Sequence, residues 1–581
     1  MGGCFVKRKK IKVRDSDNTH EVITKIDKEL LKCETHGSTV HVTWDEESVT
    51  PNGQFVFFAH FLKVSGVFDN WVADCPSLRV KDEDFSPQKK RDVLGALLLG
   101  ILSGHKRYAH INSIRFDEVN PPMLGMSKVY SEDTIRRSFQ EAAQDECHAW
   151  MKKHISHCYE PLLREEWILD VDTTVKPLYG HQEGAEIGYN PQKPGRPSHV
   201  VHAYVMAETR LILDSEVMPG TTSSSFYSMP RLLEMLKEWD PEERPSLVRG
   251  DCGYGNENVI APLEELGVHY LFKLKKTKGV KDLVQLVNRQ DSKWMAAGQG
   301  WEGVTSNIKL SGWSKRRRVV ILRKPLKKKN SRRLARAKKD PQPYLPGFEW
   351  MAIPEPVYEY AILITSLDEQ ELSRVLQAAT ERLKATAHVP DADIGAIENI
   401  SEDLLIKQNA EWQGATENTP IIPSTGSLFV AQIAQLYRDR ATSENNWDEL
   451  KNQWGWGGFV TKDLFRSQIT ARIVALVYNW WTLFTRWVDP DKHREGITSR
   501  PLMLHGVGRQ TKHGGQTHLK VTPLHAHKAK IQKAMNQISN FLQEVKTYAE
   551  RVMTQMQRWL VLSVIFRQYL NGRPLTCPPD W

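Results

Sequence analysis

SLVRGDCGYGNENVIAPLEELGVHYLFKL, residues 246–274, reads as one strand–helix–strand unit. Ser246 to Arg249 is a short strand that stops at Gly250-Asp251. Val259 to Leu266 has helical apolar spacing, and Gly267 supplies the stop. His269 to Leu274 is a second strand. Such a unit returns its second strand parallel to the first by a right-handed crossover. Working upstream, Trp167 to Val171 is an apolar strand ending in Asp172-Thr-Thr174. Val200 to Met206 and Leu211 to Val217 are strands joined by the polar link Ala207-Glu-Thr-Arg210, a hairpin signal. Together these predict a mixed sheet with at least one crossover, hence an α/β protein. Working downstream, residues 276–425 interrupt the pattern, with a strand at Tyr358 to Ile364 among polar and Pro-containing stretches. Phe429 to Lys451 then reads as one helix, broken by no Gly or Pro, and Leu464 to Trp487 and Ile531 to Tyr569 as further helical segments. Residues 489–525 read as a loop or linker. Near the start, Lys89 to Leu102 reads as a buried helix. Ser131, ahead of Glu132 and Asp133, caps a basic helix over Ile135 to Phe139. That helix suits a DNA backbone and a plain surface position equally.

The chain has 581 residues, enough for about three or four domains at roughly 150 residues each. Its 40% apolar content with ordinary Gly and Pro usage excludes collagen, full disorder and a coiled-coil rod. Seven cysteines, an odd and sparse set, argue against a disulfide framework. The basic start, Lys7 to Lys10, leads into Lys12 and Arg14 and not into an apolar segment, so no secretory signal fits. The longest apolar run, Val93 to Leu102, is about half a membrane span. These features predict a soluble protein of a reducing, cytoplasmic compartment with no membrane partner. The charge is uneven. Lys315 to Lys339 holds 14 Lys and Arg and no acid, against a chain total of +9, so the remaining residues sum to −5. Lys315 and Arg316, Arg317 and Arg318 flank a strand over Val319 to Leu322, while Lys327 to Lys339 reads as a flexible loop. Such a segment binds a polyanion through phosphate contacts and counterion release, and Arg316, Arg317 and Arg318 are its first candidates. A solvated loop that only aids solubility is the plain alternative.

Three acids stand out: Asp172 after the first strand, Asp251 after a later one, and Glu444 on the helix. Ligands of open α/β sheets gather outside strand ends. Two carboxylates there and a third from a packed helix form an all-oxygen site suited to Mg²⁺. Paired ions of this kind support phosphodiester cleavage. On the same helix Tyr437, Arg440, Glu444 and Lys451 are spaced by 3, 4 and 7, which sets all four within one stripe about 60° wide. That stripe offers one carboxylate to metal and a phenol and two cations to phosphate oxygens. Taken alone, a salt-bridged surface face explains the stripe at least as well, because Arg440 and Glu444 are an i,i+4 pair.

The spacing Tyr437-x2-Arg440-x3-Glu444-x6-Lys451 matches without a gap the Y-R-E-K signature of DDE transposases of bacterial insertion sequences. Asp172-Thr-Thr174 and Gly250-Asp251-Cys-Gly-Tyr254 resemble the segments around that family's first and second aspartates. Tyr179 to Ala185, Gly188 to Pro191 and Pro194 to Pro197 look like one subgroup. The resemblance implies an RNase H-like catalytic core with a β-rich insertion domain ahead of the glutamate helix, flanked by helical N- and C-terminal regions. The corresponding division is a helical DNA-end-binding region at 1–160, core at 161–275, insertion and linkers at 276–425, core again at 426–490, and a helical region at 491–581. The gap from Asp251 to Glu444 far exceeds that from Asp172 to Asp251, as an insertion requires. The resemblance also implies an endonuclease and strand transferase. It would use Mg²⁺, or Mn²⁺ in its place, held by Asp172, Asp251 and Glu444. It would cleave double-stranded DNA at transposon ends and join the exposed 3′-OH to target DNA by transesterification. Tyr437, Arg440 and Lys451 would hold end phosphates. Relatives act as homodimers on paired ends, some through a hairpin with a Trp stacked on a flipped base, for which Trp301, Trp313 and Trp350 are equal candidates. A catalytically silent domesticated DNA-binding protein and a host RNase H-like endonuclease without strand transfer are the competing functions.

Some residues have a rival reading. Asp170 shares the strand face of Asp172 and competes with it as ligand. Asp448 and Glu449 follow Glu444, and family spacing selects Glu444 among them. Cys147, His148, His154, His157 and Cys158 read as a packed or solvated helix more readily than as a zinc site, lacking paired C-x2-C. Gly253-Tyr-Gly255 reads as a tight turn before a phosphate cradle. Ile531, Met535, Ile538, Leu542 and Val545 form a stripe for packing on the core, or for a dimer contact.

Overall fold

The computed structural model describes residues 31–42, 47–80, 83–190, 193–222, 224–290, 292–326, 358–376, 425–490, 493–570 and 575. The basic run Lys327 to Lys339 and Trp350 lie outside these residues. The N-terminal part begins with strands β1 (Leu31–Glu34), β2 (Thr39–Val42) and β3 (Val49–Thr50). Helices α1 (Phe55–Ser65) and α2 (Val67–Ala73) follow, then the short pair β4 (Arg79–Val80) and β5 (Glu83–Asp84). Next come α3 (Pro87–Leu102), α4 (Asn120–Met123), α5 (Glu132–Arg137) and α6 (Gln144–Ser156). Local chemistry explains the boundaries. Gly66, at φ 73°, ends α1 and opens α2, a left-handed turn that suits glycine. The Ser86 hydroxyl accepts from the Lys89 N–H and Pro87 takes the first helical position of α3. Ser131 caps α5, as its sequence predicts.

The central region supplies β6 (Ile168–Pro177), β7 (Ser198–Met206), β8 (Ile212–Pro219), α7 (Ser224–Glu238), β9 (Leu247–Gly250), α8 (Glu257–Glu265), β10 (Tyr270–Lys273) and α9 (Lys278–Arg289). It continues with β11 (Met295–Ala296), β12 (Glu302–Ile308), β13 (Arg317–Pro325) and β14 (Tyr358–Thr365). These nine strands form one sheet in the order β11-β12-β13-β14-β10-β9-β6-β7-β8. β9 runs parallel to both β6 and β10, with α8 as the crossover, and the other pairings are antiparallel. The strands expected within an insertion therefore extend the central sheet beyond β10.

The C-terminal part contains α10 (Thr425–Asp439), α11 (Ala441–Gln453), α12 (Leu464–Val488) and α13 (Gly496–Met503). After these come β15 (Val507–His513), β16 (Gln516–Thr522), α14 (Lys528–Val552) and α15 (Gln555–Leu570). Among the described residues no helix is long and apolar enough to cross a membrane.

Both faces of the sheet are covered. On one face Leu169, Val171, Val248, Tyr270 and Phe272 join the larger core with residues of α7 and α8. On the other, Ile168, Leu247, Leu271, Val320, Leu322 and Leu363 form a second core with Phe429, Val430, Ile433 and Leu436 of α10. The period-two alternation along each strand divides the residues between these cores. Helix α12 is buried along almost its whole length. It closes the β8 edge with side-chain amides. Asn479 accepts from Ile212 N–H and donates to Ile212 C=O, both at 2.8 Å. Gln468 donates to Ser215 C=O at 2.8 Å and accepts from Val217 N–H. The amides thus satisfy backbone groups that an open edge would leave unpaired.

Four expectations change. The strand at Trp167 to Val171 does not end there. Asp172, Thr173 and Thr174 lie inside the ten-residue β6, because β7 pairs with β6 through Pro177. The single helix over Phe429 to Lys451 is two, α10 and α11. Arg440 N–H bonds to Tyr437 C=O at 3.3 Å, three residues back, so the spiral tightens at the junction. Residues 489–525 hold α13 and the β15–β16 hairpin. Its hydrophilic strands hide the strand signal, and only the Gly514-Gly515 turn announces it. The span Ile531 to Tyr569 is two helices, divided where Thr554 Oγ1 accepts from Gln557 N–H at 3.3 Å and opens α15. The predicted apolar stripe of Ile531, Met535, Ile538, Leu542 and Val545 is buried, and α14 packs on α1 and α12.

Candidate functional site

The β6–β9 register builds the site. Asp170 stands opposite Arg249 and Val171 opposite Gly250. One step further along these parallel strands are Asp172 and Asp251, just where β9 leaves the sheet. Neighbouring strands lie about 4.8 Å apart, so the two aspartates leave adjacent backbone positions. Alternation assigns Asp172 to the face covered by α10. Asp172 Oδ1 accepts from Thr173 N–H at 2.8 Å. Asp251 Oδ1 accepts from Gly253 N–H at 2.7 Å, and Tyr254 N–H bonds to Asp251 C=O at 3.3 Å. Gly253-Tyr-Gly255 is thus a tight turn closed by the aspartate itself. Tyr254 is buried in it and stacks on Phe272 with ring centroids 6.1 Å apart. Gly250 and Gly255 are needed here. A Cβ on Gly250 would meet the Tyr254 ring at 2.8 Å, and one on Gly255 would meet Lys273 C=O at 2.6 Å.

The α10–α11 junction faces this pair. Arg440, buried, places Nη1 3.2 Å from Asp172 Oδ2 and its guanidinium 5.4 Å from the centre of the Tyr437 ring. Burial pushes the Tyr437 hydroxyl up to about 12. Arg440 opposes that rise and the neighbouring Asp251 and Cys252 charges add to it, so Tyr437 lies within electrostatic reach of Asp251. Lys451 Nζ is 3.4 Å from Thr174 Oγ1, and its half-burial lowers the ammonium pKa against the opposing Asp448 charge. Arg440 and Lys451 therefore reach β6 at Asp172 and Thr174, two residues apart on one strand face. Glu444 stands on α11 between them, and its side chain lies outside the described residues.

Other side chains hold α11 in place from its far side. Glu449 is fully buried and accepts from Trp454 Nε1 at 2.9 Å and Gly496 N–H at 2.8 Å, with His493 Nε2 also at 2.9 Å. Asn446 accepts from Tyr478 Oη at 2.6 Å. Asp448 is exposed and accepts from Asn452 Nδ2 at 2.7 Å. Glu449 is thus committed to structure.

Asp170 is also settled by its contacts. It is 1% exposed and takes both arms of Arg249, Nε at 2.7 Å and Nη2 at 2.8 Å. Arg249 Nη1 donates to Leu436 C=O at 2.7 Å, tying β9 to α10. Arg249 escaped the sequence reading. The available signal was a cation within an apolar strand beside an aspartate pair, since a buried charge demands a partner. Lys176 also escaped. It shares the face of Asp172 and Thr174, is buried, donates to Gly458 C=O, and burial lowers its ammonium to about 8.

Arg316, Arg317 and Arg318 of the basic segment have different fates. Arg317 is 4% exposed and pairs with Glu257 at 2.5 Å and Glu264 at 2.9 Å, so its charge is neutralised inside the fold. That corrects its reading as a surface phosphate contact. Arg318 pairs with Glu369 at 3.4 Å and stacks over Phe429. Arg316 is exposed. Trp313 is buried under the Arg317 guanidinium, and Trp301 is half-buried. Cys147 on α6 and Cys158 just beyond it are buried, and His154 Nε2 lies 2.9 Å from Asp74 Oδ2. Among the described residues no group of three or more His, Cys, Asp or Glu could hold a metal ion.

Comparison with known proteins bears on this arrangement. No curated protein matches the chain. Among solved structures, the piggyBac transposase synaptic complex with hairpin DNA, from cryo-electron microscopy, aligns at 11% identity. The alignment covers 75% of this chain and 83% of that one, with a TM-score of 0.28, too low to carry an argument. The family model described as transposase DDE domain matches residues 163–480, from just before β6 through most of α12. Since the match takes in more than half of the molecule, including Asp172, Asp251 and the α10–α11 pair, the chain belongs to the transposase DDE domain family.

Proposed function

We propose that this transposase cleaves double-stranded DNA at the ends of its element and joins the freed 3′-OH to target DNA, with Asp172, Asp251 and Glu444 as its catalytic carboxylates. The observation that carries the reading is the β6–β9 register, with Asp172 on β6 and Asp251 directly after the parallel β9, under the helix pair that bears Glu444. A sheet of this kind, with the long excursion between Asp251 and α10, supports an RNase H-like core. The division into terminal regions 1–160 and 491–581, core segments 161–275 and 426–490, and an insertion at 276–425 belongs to the same proposal.

The donor set fits a hard divalent cation. It is all carboxylate, and the Asp172 side chain, though paired with Arg440, is more exposed than the Asp170 side chain. Mg²⁺, or Mn²⁺ in its place, would be held by Asp172, Asp251 and Glu444 and would lower the pKa of the attacking hydroxyl. The protein's own groups do the rest. Arg440 orients the Asp172 carboxylate and presents a planar fork toward phosphate oxygens. Lys451 and Tyr437 complete a cationic and phenolic wall along the phosphodiester. Arg316 supplies a peripheral phosphate contact from the edge of β13. The unbroken Y-R-E-K spacing supports the reading that the protein comes from the insertion-sequence branch that carries this signature. The reaction would proceed in a homodimer on paired ends, at the nucleoid.

The test uses purified protein, a supercoiled plasmid carrying the element's terminal repeats, and Mg²⁺ or Mn²⁺. Nicking and joined products are expected from the wild type. Asp172→Ala, Asp251→Ala and Glu444→Ala should each abolish both while DNA binding persists. Cleavage at the normal rate by any of the three would reject the assignment, and nicking without joining would indicate a host nuclease.

A further inference from the structure

Outside the site, the β15–β16 hairpin forms an exposed basic surface. From Gly496 to Gln543 the chain has no Asp or Glu, yet it carries seven Lys and Arg and five His. The two seven-residue strands pair from Val507↔Thr522 to His513↔Gln516, a ribbon about 20 Å long at ~3.4 Å per residue. Gly514 and Gly515, at φ 56° and 76°, close it with the tight turn that two left-handed residues make. Among the described residues β15 is held near its base, where Gly508 and Arg509 pair with Thr50 and Val49 of β3 and Gln510 N–H bonds to Ser48 C=O at 2.9 Å.

The ribbon has two unlike faces. Arg509, Thr511, His513, Gln516, His518 and Lys520 share one face, and every one of them is exposed. On the other face Gly508 is buried and Gln510, Leu519 and Val521 are half-buried, so that face leans on the protein near the base, while Lys512 and Thr517, paired on this same face toward the tip, are exposed and free to reach a groove wall. Arg509 and Lys520 are directly opposite each other. Like charges at that position cost stability unless an anion lies across them. Glu47 answers Arg509 at 2.7 Å. Among the described residues no acid forms an ion pair with Lys512 or Lys520. Lys528, Lys530 and Lys533, exposed at the start of α14, continue the same charge beyond the hairpin.

We propose that the β15–β16 hairpin is a duplex-DNA-binding arm, whose exposed face enters the major groove while Lys512 and Lys520 contact backbone phosphates. The major groove, about 12 Å wide, admits a two-stranded ribbon. Arg, His, Gln, Lys and Thr are the side chains that contact base edges and phosphates. An acidic protein would match the charge, but a bare hydrophilic face with no apolar anchor at its tip lacks the buried centre that protein interfaces use. The inference rests on the reading of this molecule as an enzyme acting on DNA, and it adds a contact surface distinct from the carboxylate site.

The test is duplex binding by the full-length protein in EDTA, followed by anisotropy of a labelled 40-bp duplex across a salt series. K512E/K520E is compared with K512R/K520R and with K32E/K237E, which makes the same charge change at exposed lysines elsewhere. Circular dichroism of each variant checks that the fold is kept. The arm predicts that K512E/K520E loses at least about tenfold in affinity at 0.1 M salt. The slope of log K against log salt should fall by about two, since each phosphate contact contributes close to one. K512R/K520R should match the wild type and K32E/K237E should lose much less. Equal losses for the two Glu pairs, an unchanged slope, or tighter binding of polyglutamate than of the duplex would overturn the proposal. Mg²⁺-dependent nicking at saturating protein is read in parallel. If K512E/K520E still nicks, the reading as a DNA-cleaving enzyme stands whatever the fate of the arm. If wild type binds through the arm yet does not nick, the reverse holds.

Discussion

Asp170 and Asp172 lie two residues apart on one strand face, yet the fold gives them opposite tasks. Asp170 is closed in by a two-armed pair with Arg249, and Asp172 stands at the edge where β9 departs. Removing one partner of a buried pair strands the other charge, so Asp170→Ala should lower stability by about 3–5 kcal/mol. Denaturant unfolding measures it, and a loss under 1 kcal/mol would show that Arg249 finds other company. Asp172→Asn should remove cleavage at a smaller cost in stability than Asp170→Ala, because the Asp172–Arg440 pair is more exposed than the Asp170–Arg249 pair. The pair Glu444 and Glu449 teaches the same lesson. Five residues apart, they differ by about 140° around the helix, and Glu449 is engaged by Trp454, His493 and the Gly496 N–H. Family resemblance selected Asp172 by its Asp-Thr-Thr motif and Arg440 and Lys451 by their spacing, and the structure joins Arg440 to Asp172 and Lys451 to Thr174. The role of Arg317 was not legible, because a run of cations looks the same whether it meets solvent or, as here, Glu257 and Glu264.

Helix α12 acts as a surrogate strand through Asn479 and Gln468. Asn479→Ala would leave the Ile212 N–H and C=O without their partners inside the protein. The expected cost is about 1–3 kcal/mol, with faster amide exchange along β8. Exchange unchanged at Ile212 would show that the edge is closed by other means. The helical periods of α3, α8 and α12 were readable because one face or the whole helix is apolar. The β15–β16 hairpin was not, since strand patterning appears only where one face is buried, and this ribbon is exposed for most of its length. The break between α10 and α11 was equally silent, because Arg440 keeps right-handed dihedrals and only its hydrogen bond shortens by one residue.

The nine-stranded sheet with a core on each face has a consequence for acid stability. Burial lowers His202 and His154 to about 4, and burial with two neighbouring cationic groups lowers His105 to about 4, against an ordinary 6.5. Between those values the unfolded chain binds more protons than the folded one, so stability is present above pH 6.5 and is lost as the pH falls toward 4. Glu216 runs the other way. Burial and the Asp214 charge raise it to about 7, so its contribution is lost as pH rises from 4.5 to 7. With three histidines against one carboxylate, the melting temperature should fall from pH 6.5 to 4.5. His202 alone contributes a slope approaching about 1.4 kcal/mol per pH unit. His202→Leu should flatten the profile by one proton, and a profile as steep as wild type would mean the ring is solvated. The sequence by itself determined the elements of the α/β core, the order of the acids and the Tyr-Arg-Glu-Lys spacing, because hydrophobic period and residue distance along a helix are local properties. Only the tertiary structure decided that the strands after residue 290 extend the same sheet, that Asp170 is a structural anion, and that Arg317 is buried. Each of these depends on which distant partner reaches a group first, and burial makes that choice costly to reverse.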